Sequence, residues 1–164
     1  MPAVTRFFIK TSFLYLIAAL LVGVILAANF LWELGGILRG VTPLYFHMFM
    51  VGWVTQLIFG VVFWMFPRHT PDAPRGSEKL GWWTYGLLNV GLLLRVVGEP
   101  MVAQQPGTAW GWLLVVSAVL QWGAALCFFL NTWPRVKPGP RHRRQEAKRG
   151  SPLAHLRDWL NNRM

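Results

Sequence analysis

A single cysteine, Cys127, and only six acidic side chains in 164 residues exclude several kinds of chemistry. One thiol forms no intrachain disulfide, and its position inside an apolar stretch says nothing about redox compartment. There is no histidine pair at metal-ligand spacing, no glycine-rich phosphate loop, and no serine, histidine and acid set within one plausible site. No convincing internal repeat emerges. Soluble character is missing too, because 54% of residues are hydrophobic, with 10 Trp and 11 Phe, and the charges are pushed to the ends of apolar blocks.

What remains is a chain dominated by four such blocks, at about 12–33, 44–66, 80–98 and 110–133. A hydrocarbon core about 30 Å thick needs roughly 20 apolar residues in a helix, and each block reaches or nearly reaches that length. The expected fold is all-α: an integral membrane antiparallel four-helix bundle over residues 1–134, with no second globular unit. Gly35, Gly36, Gly40 and Pro43 predict the first turn. Pro67 with the stretch to Lys79 predicts the second, and Gly98, Pro100, Pro106 and Gly107 the third. The first block is too long for a signal-peptide core and lacks a small-residue cleavage site, so it is expected to be a retained helix.

Basic residues set the expected orientation. Arg6 and Lys10 precede the first block, Arg68, Arg75 and Lys79 follow the second, and nine of the sixteen Lys and Arg lie after residue 134. The other two connections hold only Arg39. The positive-inside bias then puts both termini in the cytoplasm and the protein in the inner (cytoplasmic) membrane. Trp32, Trp110 and Trp112 fall at outer helix ends, and Trp64, Trp82, Trp83 and Trp133 at inner ends, as aromatic belts require. The basic tail, residues 135–164, is polar up to Ser151 and Pro152, which predict the start of a short amphipathic helix over about 152–163. A cationic tail joined to a membrane helix points to anionic lipid headgroups, not nucleic acid.

Polar groups that could do chemistry gather toward the outer surface: Asn29 and Glu33 on the first helix, Arg39 in the loop, His47 on the second, and Arg95 and Glu99 on the third. Ionisable groups in a bilayer cost about 2.5–3.5 kcal/mol each on insertion scales and therefore face partners. His47 is the one intramembrane histidine. It lies about one turn inside the boundary, where it can reach water or a neighbouring helix, or serve as a ligand. Met50, Val51, Val54, Ile58, Val61 and Met65 share its face, and Gly52, Gln56 and Gly60 occupy the opposite one at close-packing spacing. An apolar wall beneath one imidazole suits a porphyrin, and it equally suits lipid. Asn89, Ser117, Gln121 and Gln56 are placed for hydrogen bonds between helices.

The segment TPLYFHMFMVGWVTQLIFGVVFWMFPR resembles the second helix of the catalytic subunit of heme-copper oxidases and nitric oxide reductases, especially the C-family branch; His47, Gly52, Trp53, Gly60, Pro67 and Arg68 carry the likeness. The resemblance implies that His47 is an axial ligand of a low-spin heme b. It covers about residues 12–133, the start of that subunit only. The later histidines that hold copper, high-spin heme and the second low-spin ligand have no counterpart, since His69, His142 and His155 lie in a loop or the tail. The chain alone is therefore expected to have no oxidase or reductase activity.

A six-coordinate iron could be completed by a homodimer with one His47 on each heme face, or by Met48 or Met50; the dimer is preferred because Met50 shares a helix with His47. A five-coordinate iron could take a small gas. Arg39 and Arg95 are candidate propionate partners, while Arg95 can instead pair with Glu99 or Glu33. There is no Cys-x-x-Cys-His for covalent attachment. The functional expectation is electron transfer, heme-based sensing or support of a respiratory-chain partner. Two alternatives stay open: a heme-free accessory membrane subunit, and a ligand or proton pathway through Glu33, Arg95 and Glu99.

Overall fold

A computed structural model describes residues 1–32, 38, 41–65, 77–107, 109–136 and 159–162. The described residues contain no strand, and four helical stretches are long and apolar enough to cross a membrane: Ala3–Asn29, Val41–Met65, Glu78–Gln104 and Gly111–Arg135. The protein is an all-α, multi-pass membrane protein. Chains such as Leu14, Ile17, Leu21, Val119 and Trp122 are well exposed, which in lipid leaves no apolar surface unsatisfied.

The first helix, α1 (Ala3–Trp32), begins well before residue 12, the expected start. Arg6 and Lys10 do not delay it, because both are exposed and long enough to carry their charge to the headgroups. The second span is composite: α2 (Val41–Phe46), a π-helical segment (His47–Thr55) and α3 (Gln56–Met65). The third, α4 (Glu78–Gln104), runs past Gly98, its expected end, and through Pro100. Ending a helix inside a bilayer would strand several backbone groups, whereas proline removes only the donor for the carbonyl four residues back. The fourth, α5 (Gly111–Thr132), closes in a 3-10 turn, Trp133–Arg135. Gly107, at φ 81°, makes the turn before it, as its sequence position implied.

These spans pair as two helical hairpins. In the first, α1 meets the second span through notches: a Cβ on Gly52 would stand 2.7 Å from the Tyr15 ring, and one on Gly60 2.8 Å from Phe8. Met48, Gly52, Gln56, Gly60 and Phe63 are the buried face of the second span, the side its small residues predict. In the second hairpin α4 approaches α5 at Gly91, where Ser117 Oγ donates to the Gly91 carbonyl at 2.7 Å. The hairpins join near the N-terminal end through Val4, Phe8, Phe63, Leu88 and Ala124, and Phe59 stacks on Phe128 with centroids 3.8 Å apart. A second cluster, Ala19, Leu44 and Met48, belongs to the opposite half.

Glu33, Arg39, Arg68 and His69, most of the basic tail, and the start of the expected amphipathic helix lie outside the described residues. Of that helix, residues 159–161 are described as helical, with Trp159 and Leu160 exposed.

Candidate functional site

Two departures from regular α-helix meet at one end of the bundle. In the second span the backbone widens at His47 into i to i+5 bonding, and the Gln56 N–H reaches the Val51 and Trp53 carbonyls, passing over that of Gly52. Thr55 Oγ1 donates to the Met50 carbonyl at 2.9 Å, a side-chain echo of that spacing. Such widened turns occur often at functional sites. Residues four apart drift about 40° around an α-helix at each step; the wider turn offsets that drift and keeps Met48, Gly52 and Gln56 against α1. In α4, Pro100 follows Glu99 directly and offers no N–H to the Val96 carbonyl.

Between these irregularities lies a chain of three side chains. His47 Nδ1 is 2.9 Å from the Pro43 carbonyl, one turn back on its own helix, and 2.9 Å from Glu99 Oε1 on α4. Arg95 donates to the same Oε1 at 2.9 Å. The Glu99 side chain is only 5% accessible, Arg95 17% and His47 30%, so the carboxylate sits deepest and the imidazole faces outward. A backbone carbonyl can only accept, so the hydrogen bond to Pro43 places the proton on Nδ1. In the neutral ring Nε2 then holds the free lone pair. It has no hydrogen-bond partner among the described residues and is not sealed in the interior.

Three buried polar atoms at this end have no partner among the described residues: Glu99 Oε2, Arg95 Nε and Asn29 Oδ1. Buried atoms of this kind usually find hydrogen-bond partners, so each is an open valence of the site. No three His, Cys, Asp or Glu side chains gather into a metal cage among the described residues.

Of the residues singled out from sequence, the fold joins His47 to Glu99 and Arg95 and places Asn29 at the same end. Arg39 and Glu33 lie outside the described residues. Met48 is buried against α1, whereas Met50 is half exposed. The His47 face keeps an outward apolar surface, with Met50, Ile58 and Met65 all exposed. Pro43 as a partner of His47 was not foreseen; the four-residue spacing was its only available signal. No known protein family, curated protein or solved structure matches the chain.

Proposed function

We propose that this protein binds b-type heme in the membrane, with His47 Nε2 as the axial ligand. The observation that carries the reading is the arrangement of His47: Nδ1 is engaged by Pro43 and Glu99, and Nε2 is left open. Histidines that bind metal commonly donate their other ring N–H to a carbonyl or carboxylate, which fixes the tautomer and the ring plane. Arg95 spends one nitrogen on Glu99 and keeps a buried, unpartnered Nε–H, a donor suited to a propionate. Met50, Ile58 and Met65 offer the apolar wall. Bound heme would supply one-electron exchange between ferrous and ferric iron.

Because His47 faces outward, its ligand meets lipid or a second chain. A homodimer in which His47 of the partner subunit takes the opposite heme face is the preferred assembly, and a role in electron transfer or respiratory-complex support follows from it. The resemblance to the heme-copper oxidase subunit points the same way, and Arg39 is a further propionate partner under it. Both termini lie on the cytoplasmic side of an inner (cytoplasmic) membrane in this reading, with the basic tail on anionic headgroups.

A heme-free accessory role is the second reading. It is favoured by the fact that Pro43, His47 and Glu99 already tie two helices together without any ligand. The two readings separate on protein purified in detergent and supplied with hemin. Heme binding predicts a Soret band and reduced-minus-oxidised b-type peaks that vanish in His47→Ala while the helical circular dichroism persists. A colourless wild-type protein removes the proposal and leaves the tie.

A further inference from the structure

We infer that Glu99 is the positioning residue that sets the electron-donor strength of His47, and through it the reduction potential of the site; this rests on the heme reading above. Glu99 is the one carboxylate in contact with the imidazole among the described residues, at 2.9 Å from Nδ1. It reaches His47 from another helix, so the contact is tertiary and does not follow from the local turn that supplies Pro43. Its side chain is 5% accessible, where the surroundings screen its charge far less than water does. One carboxylate oxygen, Oε2, has no donor among the described residues, and the other lies beside both His47 and Arg95.

A negative charge 2.9 Å from Nδ1 acts through space on the ring, favouring positive charge on the imidazole and raising the electron density available at Nε2. A more basic Nε2 stabilises the more positive, ferric state. A neutral carbonyl does this less. Pro43 O takes the hydrogen bond that orients the ring, and Glu99 Oε1 lies at the same 2.9 Å as an ion-pair contact, so removing its charge leaves the ring oriented and alters only its donor strength. Arg95, four residues before Glu99 on the same helix, holds the carboxylate in place and moderates its charge.

The test is potentiometric titration of the hemin-loaded full-length protein, read at the Soret and α bands, for wild type, Glu99→Gln and Glu99→Asp. Glu99→Gln is expected to keep the b-type spectrum and move the midpoint to more positive potential. Glu99→Asp, whose carboxylate is one methylene shorter, is expected to move it less in the same direction. An intact spectrum with an unmoved or more negative midpoint in Glu99→Gln overturns the inference.

If the variants lose their pigment or fail to fold, nitrogen NMR of ¹⁵N-histidine-labelled, heme-free wild type decides instead. With ¹³C-glutamate labelling added, a proton on His47 Nδ1 together with a short dipolar contact between Nδ1 and the Glu99 carboxyl upholds the arrangement, and a proton on Nε2 alone or the lack of that contact overturns it. Failure of the underlying heme reading has a different signature, since wild type itself would then stay colourless.

Discussion

Arg135, fully buried at the end of the fourth span, donates from its guanidinium to the carbonyl of Phe63 in the last turn of α3 at 3.2 Å, and its charge lies 5.7 Å from the Phe63 ring centre. A helix C-terminus carries partial negative charge on carbonyls that have no intrahelical donor. Arg135 supplies both the donor and the opposite charge, and it does so across the two hairpins. Arg135→Gln is expected to destabilise the bundle by about 1.5–3 kcal/mol, the range for hydrogen bonds from charged groups. Unfolding in mixed micelles would check it, and a change under 0.5 kcal/mol would show the contact to be incidental.

The two notch glycines of the first hairpin and the open Gly86 on α4 give a graded series. A methyl added at Gly52 meets the Tyr15 ring at 2.7 Å and one at Gly60 meets Phe8 Cβ at 2.8 Å, whereas Gly86 has nothing within 4 Å. Overpacking costs about 1–3 kcal/mol, while alanine in an open helical position gains up to about 1 kcal/mol over glycine. Gly52→Ala and Gly60→Ala should therefore lower stability and Gly86→Ala should not. A common effect at all three positions would mean that the notches do not set the approach of α1.

This grading explains how much of the fold could be read beforehand. Gly52, Gln56 and Gly60 are spaced for close approach and do face α1, and Gly107 does make the third turn, because both depend on local spacing or local backbone freedom. The Arg95 and Glu99 pair was legible as i, i+4 neighbours. The π segment was not: no residue between His47 and Thr55 dictates a widened turn, which depends on packing against α1 and α4. The His47–Glu99 contact was equally hidden, since it depends on how the two hairpins meet. Arg135 looked like one more cation of the tail. Asn89, placed for a bond between helices, donates to the Tyr85 carbonyl on its own helix instead.

Ser117 and Gly91 define the second hairpin, and their separate contributions can be resolved. Ser117 Oγ donates to the Gly91 carbonyl and accepts from Gln121 Nε2 at 3.2 Å. Interhelical hydrogen bonds in membranes average about 0.6 kcal/mol, so Ser117→Ala should cost about that much. Gly91→Ala should cost more, because its methyl would meet the Ser117 backbone oxygen at 3.1 Å as well as the Gln121 side chain at 2.9 Å. The order of the two losses, measured by equilibrium unfolding, tests whether backbone proximity or the hydroxyl holds α4 to α5.

Gln56 presents the opposite case, a polar group whose removal should help. It is 0% exposed at the centre of the second span, and neither its amide nitrogen nor its oxygen has a hydrogen-bond partner among the described residues. Burying an unsatisfied amide costs about 1–3 kcal/mol by protein mutational data, and Leu has a similar reach with no such penalty. Gln56→Leu is accordingly expected to raise stability by about that amount while leaving the His47 end unchanged, because Gln56 faces α1 and His47 faces outward. If the variant is instead less stable, the amide is satisfied in the membrane by a bound water or a second chain, and high-resolution density at Gln56 would show which.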